Sequence, residues 1–175
     1  MLDDSTHRFA GKERSMKIKG IDRVVIAVKD WDKAAEFFSN LVGVEFEEIK
    51  GPAIEEGGVR FGVGVVPQKC DLRIELIQPI HPLKDARPPD PKAIAKSVEH
   101  TDAALHALVF RVEDIDEASA DVNTKGIRVY GRMEMPEIKG GPFAGVSDFK
   151  EIFTEGEDAL GIPMAFVEYK DPSEE

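Results

Sequence analysis

Little in this chain would tie it down covalently or hold it in a membrane. Its 175 residues include a single cysteine, Cys70, which leaves no partner for an intrachain disulfide. Cysteine use of this kind suits a cytoplasmic protein. No apolar run approaches the ~20 residues that span a bilayer. The N-terminus lacks the apolar core of a secretory signal. Positive charge is scarce, with 23 Lys and Arg against 34 Asp and Glu, a net charge of −11. An acidic protein gains nothing from the counterion release that drives nucleic-acid binding, and anionic membranes repel it. Small molecules remain as partners, since local basic positions such as Lys17, Lys19 and Arg23 can still hold an anionic substrate. No histidine lies near Cys70 in sequence, which reads as inert rather than nucleophilic. Gly140-Gly141-Pro142 reads as a turn, and nothing there matches a phosphate-binding loop.

What the chain does have is a repeat. The segment running from Gly20 through Asp30 and Asp32 to Phe38 returns as Leu105 through Asp114 and Asp116 to Val122. Asp30 aligns with Asp114, Asp32 with Asp116 and Ala34 with Ala118, each 84 residues apart. Each copy is a β-branched strand, an acidic turn and a helix, and each must bury a face that the other supplies. Hydrophobic residues make up 42% of the chain, enough to fill one shared core.

In the first copy Arg23–Val28 reads as a strand. Asp30 or Asp32 can cap a helix carrying Ala34, Phe37, Phe38 and Leu41 at helical spacing, which Gly43 ends. Val44–Ile49, Val59–Val66 and Leu72–Gln78 read as further strands, the last stopped by Pro79. The second copy predicts strands at Leu105–Val112, Ile127–Tyr130, Phe149–Thr154 and Met164–Tyr169, and a helix at Asp116–Thr124. Met133–Ser147 reads as a Pro/Gly-rich loop. The predicted class is α+β, with two tandem βαβββ modules forming a cup-shaped mixed sheet. Residues 1–16 read as a flexible leader, 17–80 as the first module and 81–103 as a Pro-rich linker holding a short helix at Lys92–Val98. Residues 104–171 read as the second module and 172–175 as a tail.

These motifs, together with Ile74-Glu75-Leu76-Ile77-Gln78-Pro79 and Phe166-Val167-Glu168-Tyr169, resemble the vicinal oxygen chelate superfamily. Glyoxalase I, methylmalonyl-CoA epimerase, extradiol dioxygenases and bleomycin-resistance proteins are members. The ending of the fourth strand looks most like the epimerases. The resemblance implies a divalent metal at the centre of the cup, with one ligand from the first and one from the fourth strand of each module. Carried over residue by residue, the fourth-strand positions are Glu75 and Glu168, and both match. The first-strand positions are Arg23 and Ala107, and neither does. Arginine offers no lone pair. Alternation turns His106 away from the cup if Ala107 faces it, unless a bulge brings it in.

The resulting expectation is no required cofactor, with Arg23 standing in for the metal and bridging Glu75 and Glu168. Glu75, Glu168 and Arg23 are then the catalytic residues, and Arg73 and Arg111 the substrate anchors on the same face. If a divalent metal binds, its candidate ligands are Glu75, Glu168 and His106. The implied function is a small-molecule isomerase or lyase that abstracts a proton alpha to a carbonyl. The alternative is a non-catalytic sequestration protein of the bleomycin-resistance type. The resemblance also implies a homodimer.

Overall fold

The computed structural model describes residues 16–50, 58–67, 72–80, 90–138, 141–159 and 161–172. Residues 1–15, Cys70 and His81, on which the sequence invited comment, lie outside them.

Strand β1 (Ile18–Val28) runs into helix α1 (Trp31–Val42). Asp30 caps that helix, its carboxylate accepting from the Lys33 N–H. Gly43 ends it at φ 72°, a conformation that glycine adopts without strain. Strands β2 (Glu45–Ile49), β3 (Val59–Val65) and β4 (Arg73–Pro79) complete the first half. Helix α2 (Pro91–Ser97) follows, capped by Asp90 with proline in its first turn. The second half repeats the order with β5 (Ala103–Val112), α3 (Ile115–Thr124), β6 (Val129–Glu137), β7 (Ser147–Thr154) and β8 (Met164–Lys170).

The eight strands form one sheet in the order β2-β3-β4-β1-β5-β8-β7-β6. Within each half the first strand pairs parallel to the fourth, and β1 meets β5 antiparallel at the centre. The expected βαβββ order is present in both halves, and the sheet curls into a half-barrel. Odd-numbered strand residues such as Val25, Ile77, Val109 and Val167 fill the concave face, where α2 adds Ile94 and Val98. Even-numbered residues pack outward, Leu76 and Ile74 with Trp31 of α1, and Phe166 and Ile152 with Ile115 of α3.

The second half departs from the sequence reading at β6, which runs from Val129 to Glu137 instead of stopping at Tyr130. Pro136, with the Gly and Pro residues after it, suggested a loop over Met133–Ser147. The strand sits at the edge of the sheet, where proline's missing N–H removes no ladder bond.

Three strand pairings slip register, at five points, and four of the slips leave one polar residue extra. In β1 the extra residues are Lys19, between Ile18 opposite Val112 and Gly20 opposite Arg111, and Asp22, between Ile21 opposite Phe110 and Arg23 opposite Val109. In β5 it is His106, between Ala107 opposite Val25 and Leu105 opposite Ile26. In β6 it is Tyr130. Bulges of this kind re-aim a side chain that alternation would have pointed elsewhere.

Candidate active site

A single guanidinium organises the middle of the cup. Arg23 is 6% exposed, and each of its three nitrogens donates to a different carboxylate. Nε donates to Glu75 Oε2 at 2.6 Å, Nη2 to Glu151 Oε1 at 2.6 Å and Nη1 to Asp22 Oδ1 at 2.9 Å. Glu75 comes from β4 of the first half and Glu151 from β7 of the second, so the cluster joins the halves. Asp22 reaches it through the bulge in β1. Its second oxygen accepts from the Tyr169 hydroxyl at 2.7 Å and from Arg73 Nη1 at 3.3 Å. Phe143, on the short turn Gly141–Phe143, lies over both guanidinia, 5.5 Å from Arg23 and 4.8 Å from Arg73. That turn is held to the opposite edge of the cup by the Gly141 N–H, which donates to Glu47 at 2.9 Å.

Among the directly hydrogen-bonded charges of this cluster, carboxylates outnumber guanidinia. Two guanidinia, Arg23 and Arg73, face three carboxylates. Burial works against the Arg23 charge, but Glu151, Glu75 and Asp22 outweigh it and hold the guanidinium well above its ordinary value. Glu151 is 1% exposed. Burial pushes its carboxyl up to about 7, against the pull of Arg23 and with the help of Glu75 and Asp22. The third carboxylate therefore keeps a proton until neutral pH, and its carbonyl oxygen still accepts from Arg23. Burial and Asp22 likewise raise Tyr169 to about 12, so it stays a donor.

Arg73 carries a further feature. Its Nε–H is sealed from solvent and has no acceptor among the described residues. A buried donor of this kind calls for a partner. Arg111 lies over the Tyr169 ring at 4.0 Å and donates to the Tyr169 carbonyl at 3.2 Å.

The structure thus brings together Arg23, Glu75 and Arg73, with Arg111 beside them across Tyr169. Glu168 is elsewhere. It lies on the convex face, where Oε2 accepts from the Ile115 N–H at 2.8 Å at the start of α3, and Lys150 approaches at 3.5 Å. The expected bridge from Arg23 to Glu168 is replaced by the bridge to Glu151. Register explains the difference. In the first half Val25 stands opposite Glu75, and in the second its counterpart Val109 stands opposite Ala165, not Glu168. Glu151 was missed, although Phe149 and Phe153 flank it at the period of a strand and both face inward.

A divalent metal does not fit this site. By register, its four positions carry Arg23, Glu75, Ala107 and Ala165, a cation, one carboxylate and two methyl groups. His106, the conditional ligand, is bound through Nδ1 to Ser97 at 2.9 Å. Among the described residues no group of three or more His, Cys, Asp or Glu could hold a metal ion.

Residues 22–144 match the family model of the Glyoxalase/Bleomycin resistance protein/Dioxygenase superfamily. Among solved structures, methylmalonyl-CoA epimerase from Mycobacterium tuberculosis is similar at 23% identity, covering 95% of each chain with a TM-score of 0.66. The Streptomyces coelicolor methylmalonyl-CoA epimerase in complex with 2-nitronate-propionyl-CoA is similar at 24% identity, covering 87% of this chain and 98% of that one, TM-score 0.62. A hypothetical protein from Bacillus halodurans C-125 gives 20% identity, 89% and 97% coverage, and a TM-score of 0.63. No curated protein matches the chain. These likenesses share the fold, and no helix of the described residues is long and apolar enough to cross a membrane.

Two outcomes follow for stability. Replacing Arg23 with Met takes from Glu75 and Glu151 their only cation among the described residues and leaves Asp22 with Arg73 and Tyr169, a loss of about 3–5 kcal/mol. Urea denaturation at pH 7.5 should show it, and the loss should shrink at pH 5, where the carboxyls can take up protons. The raised Glu151 acts with the opposite sign to an ordinary ion-paired acid. Between its ordinary 4.5 and about 7 the folded state holds a proton that the unfolded state has released. Wild-type stability should therefore fall as pH rises through that window, and Glu151→Gln should flatten the profile there.

Proposed function

The chain belongs to the glyoxalase/bleomycin resistance protein/dioxygenase superfamily, and from that premise we propose that it is an epimerase-like isomerase of small molecules. Its reaction moves a proton at a carbon next to a carbonyl. The observation that carries this reading is the Glu151 carboxyl, poised at about 7 beside a buried guanidinium. A general base works best with a pKa near the working pH, because it is then unprotonated often enough and still basic enough.

Arg23 supplies fixed positive charge where negative charge builds on the carbonyl oxygen. A guanidinium has five N–H groups, and the three carboxylates engage three of them. One N–H on each terminal nitrogen remains for an oxyanion. Arg73, whose side chain is partly exposed, adds a second positive charge, and Arg111 extends the positive edge. Glu75 holds Arg23 in place, and Glu168 takes no part because it faces the other way. In this reading deprotonated Glu151 abstracts the alpha proton, the enolate oxygen rests against the guanidinia, and the proton returns to the carbon. The neighbours whose names include methylmalonyl-CoA make branched acyl thioesters a first substrate class to try.

The test is deuterium uptake. A panel of 2-substituted carbonyl acids and thioesters, methylmalonyl-CoA included, is incubated with the protein in D2O and followed by proton NMR. At least one member should lose its alpha-proton signal at a catalysed rate, and Glu151→Gln should slow that rate by at least about 100-fold. Ligands that bind without exchange would replace this reading with sequestration.

A further inference from the structure

Of the four polar residues left extra by register slips, Lys19 is exposed near the start of β1 and Asp22 belongs to the cluster around Arg23. His106 in β5 and Tyr130 in β6 are not used by the reaction above. His106 meets α2, where its Nδ1 lies 2.9 Å from Ser97 Oγ. A count of protons shows which atom donates. A serine hydroxyl has one proton. Ser97 Oγ also lies 3.1 Å from the carbonyl of Ala93, one turn back on α2. If Ser97 gave its proton to the ring, two oxygen atoms would face each other there with no proton between them. Both contacts are satisfied only when Ser97 donates to Ala93 and accepts from His106, so the ring proton sits on Nδ1.

Burial lowers the basicity of this imidazole, opposed by the Asp90 carboxylate. The ring is neutral at pH 7, and Nε2 carries the lone pair. Nε2 has no hydrogen-bond partner among the described residues, and it is not one of the polar atoms sealed from solvent. Tyr130 has its ring tilted against Phe153 at 6.2 Å. Its hydroxyl lies in the field of the Asp90, Glu155 and Glu151 carboxylates. Burial and Asp90 raise that hydroxyl to about 12, so it stays protonated and can donate.

We propose that Nε2 of His106 is a second proton acceptor of the cup, serving a small molecule that brings a hydroxyl or an activated C–H. The inference deepens the proton-transfer reading and rests on it in one respect. Inverting a carbon centre takes one group to remove the proton and another to supply one: with Nε2 as the acceptor, the protonated Glu151 carboxyl is the supplier, and turnover in the opposite direction exchanges the two roles.

The ring itself gives the first test. Long-range proton–nitrogen correlation on 15N-labelled protein at pH 7, with the signal assigned by His106→Gln, should show a protonated Nδ1 and a lone pair on Nε2. Ser97→Ala should move the proton toward Nε2. A wild-type ring protonated on Nε2, or a doubly protonated one, overturns the assignment whatever the activity. The second test uses the deuterium-uptake assay. His106→Gln should lower kcat about 100-fold with KM changed less than about 2-fold, and added imidazole should restore part of the rate of His106→Ala. Exchange by His106→Gln at the wild-type rate overturns the proposal. If wild-type protein exchanges no substrate, the isomerase reading falls, and the ring measurement alone decides here.

Discussion

A buried guanidinium cannot stand alone, and the middle of this protein is built around that constraint. Removing a cation from water costs several kcal/mol, recovered only by close and well-directed partners. Arg23 has three, drawn from β1, β4 and β7. Their excess of negative charge in turn calls for Arg73 and for a proton on Glu151. Tyr169 supports Asp22 from β8. The aromatic ring of Phe143 lies over the guanidinia without offering a competing hydrogen bond. Because the partners come from both halves, the same interaction that satisfies the charge fixes how the two modules meet.

The superfamily resemblance places a metal where this chain places Arg23. The substitution keeps the positive charge and changes its character. A metal has open coordination positions and can draw a substrate oxygen into them. A guanidinium is directional and mostly committed to its carboxylates. Proton transfer with electrostatic support, the reaction we propose, needs no more than such an exchange leaves. Redox or dioxygen chemistry would need donors that Ala107 and Ala165 do not provide. Bulges supply what regular alternation would not. Asp22 enters the cluster through one, and His106 and Tyr130 are re-aimed by two more.

The fold was legible because the repeat, the acidic caps and the glycine stop after α1 are local signals. Strand β6 was not, since proline and glycine mean loop in a central strand and are tolerated at an edge. Within the site, Arg23, Glu75 and Arg73 could be read from β1 and β4, where alternation and pairing agree. Glu168 was misplaced because its four-residue motif looks right while its register is wrong. Parallel pairing with β5 puts Ala165 at the equivalent position, and no sequence spacing reveals that. Glu151 carried a usable signal, a carboxylate between two inward phenylalanines at the period of a strand. Asp22 and His106 carried none, because an extra residue in a strand reverses side-chain direction without any mark in composition.

Direct titration of Glu151 tests the account most sharply. Its side-chain carboxyl carbon, labelled with 13C and assigned through Glu151→Gln, can be followed by NMR from pH 4 to 9. A midpoint near 7 is the expected result, the mark of a third carboxylate that holds its proton beside a shared guanidinium. A midpoint near 4.5, the ordinary value for a glutamate, would mean that Glu151 is a plain ion-pair partner of Arg23. The cup would then hold no base poised for neutral pH.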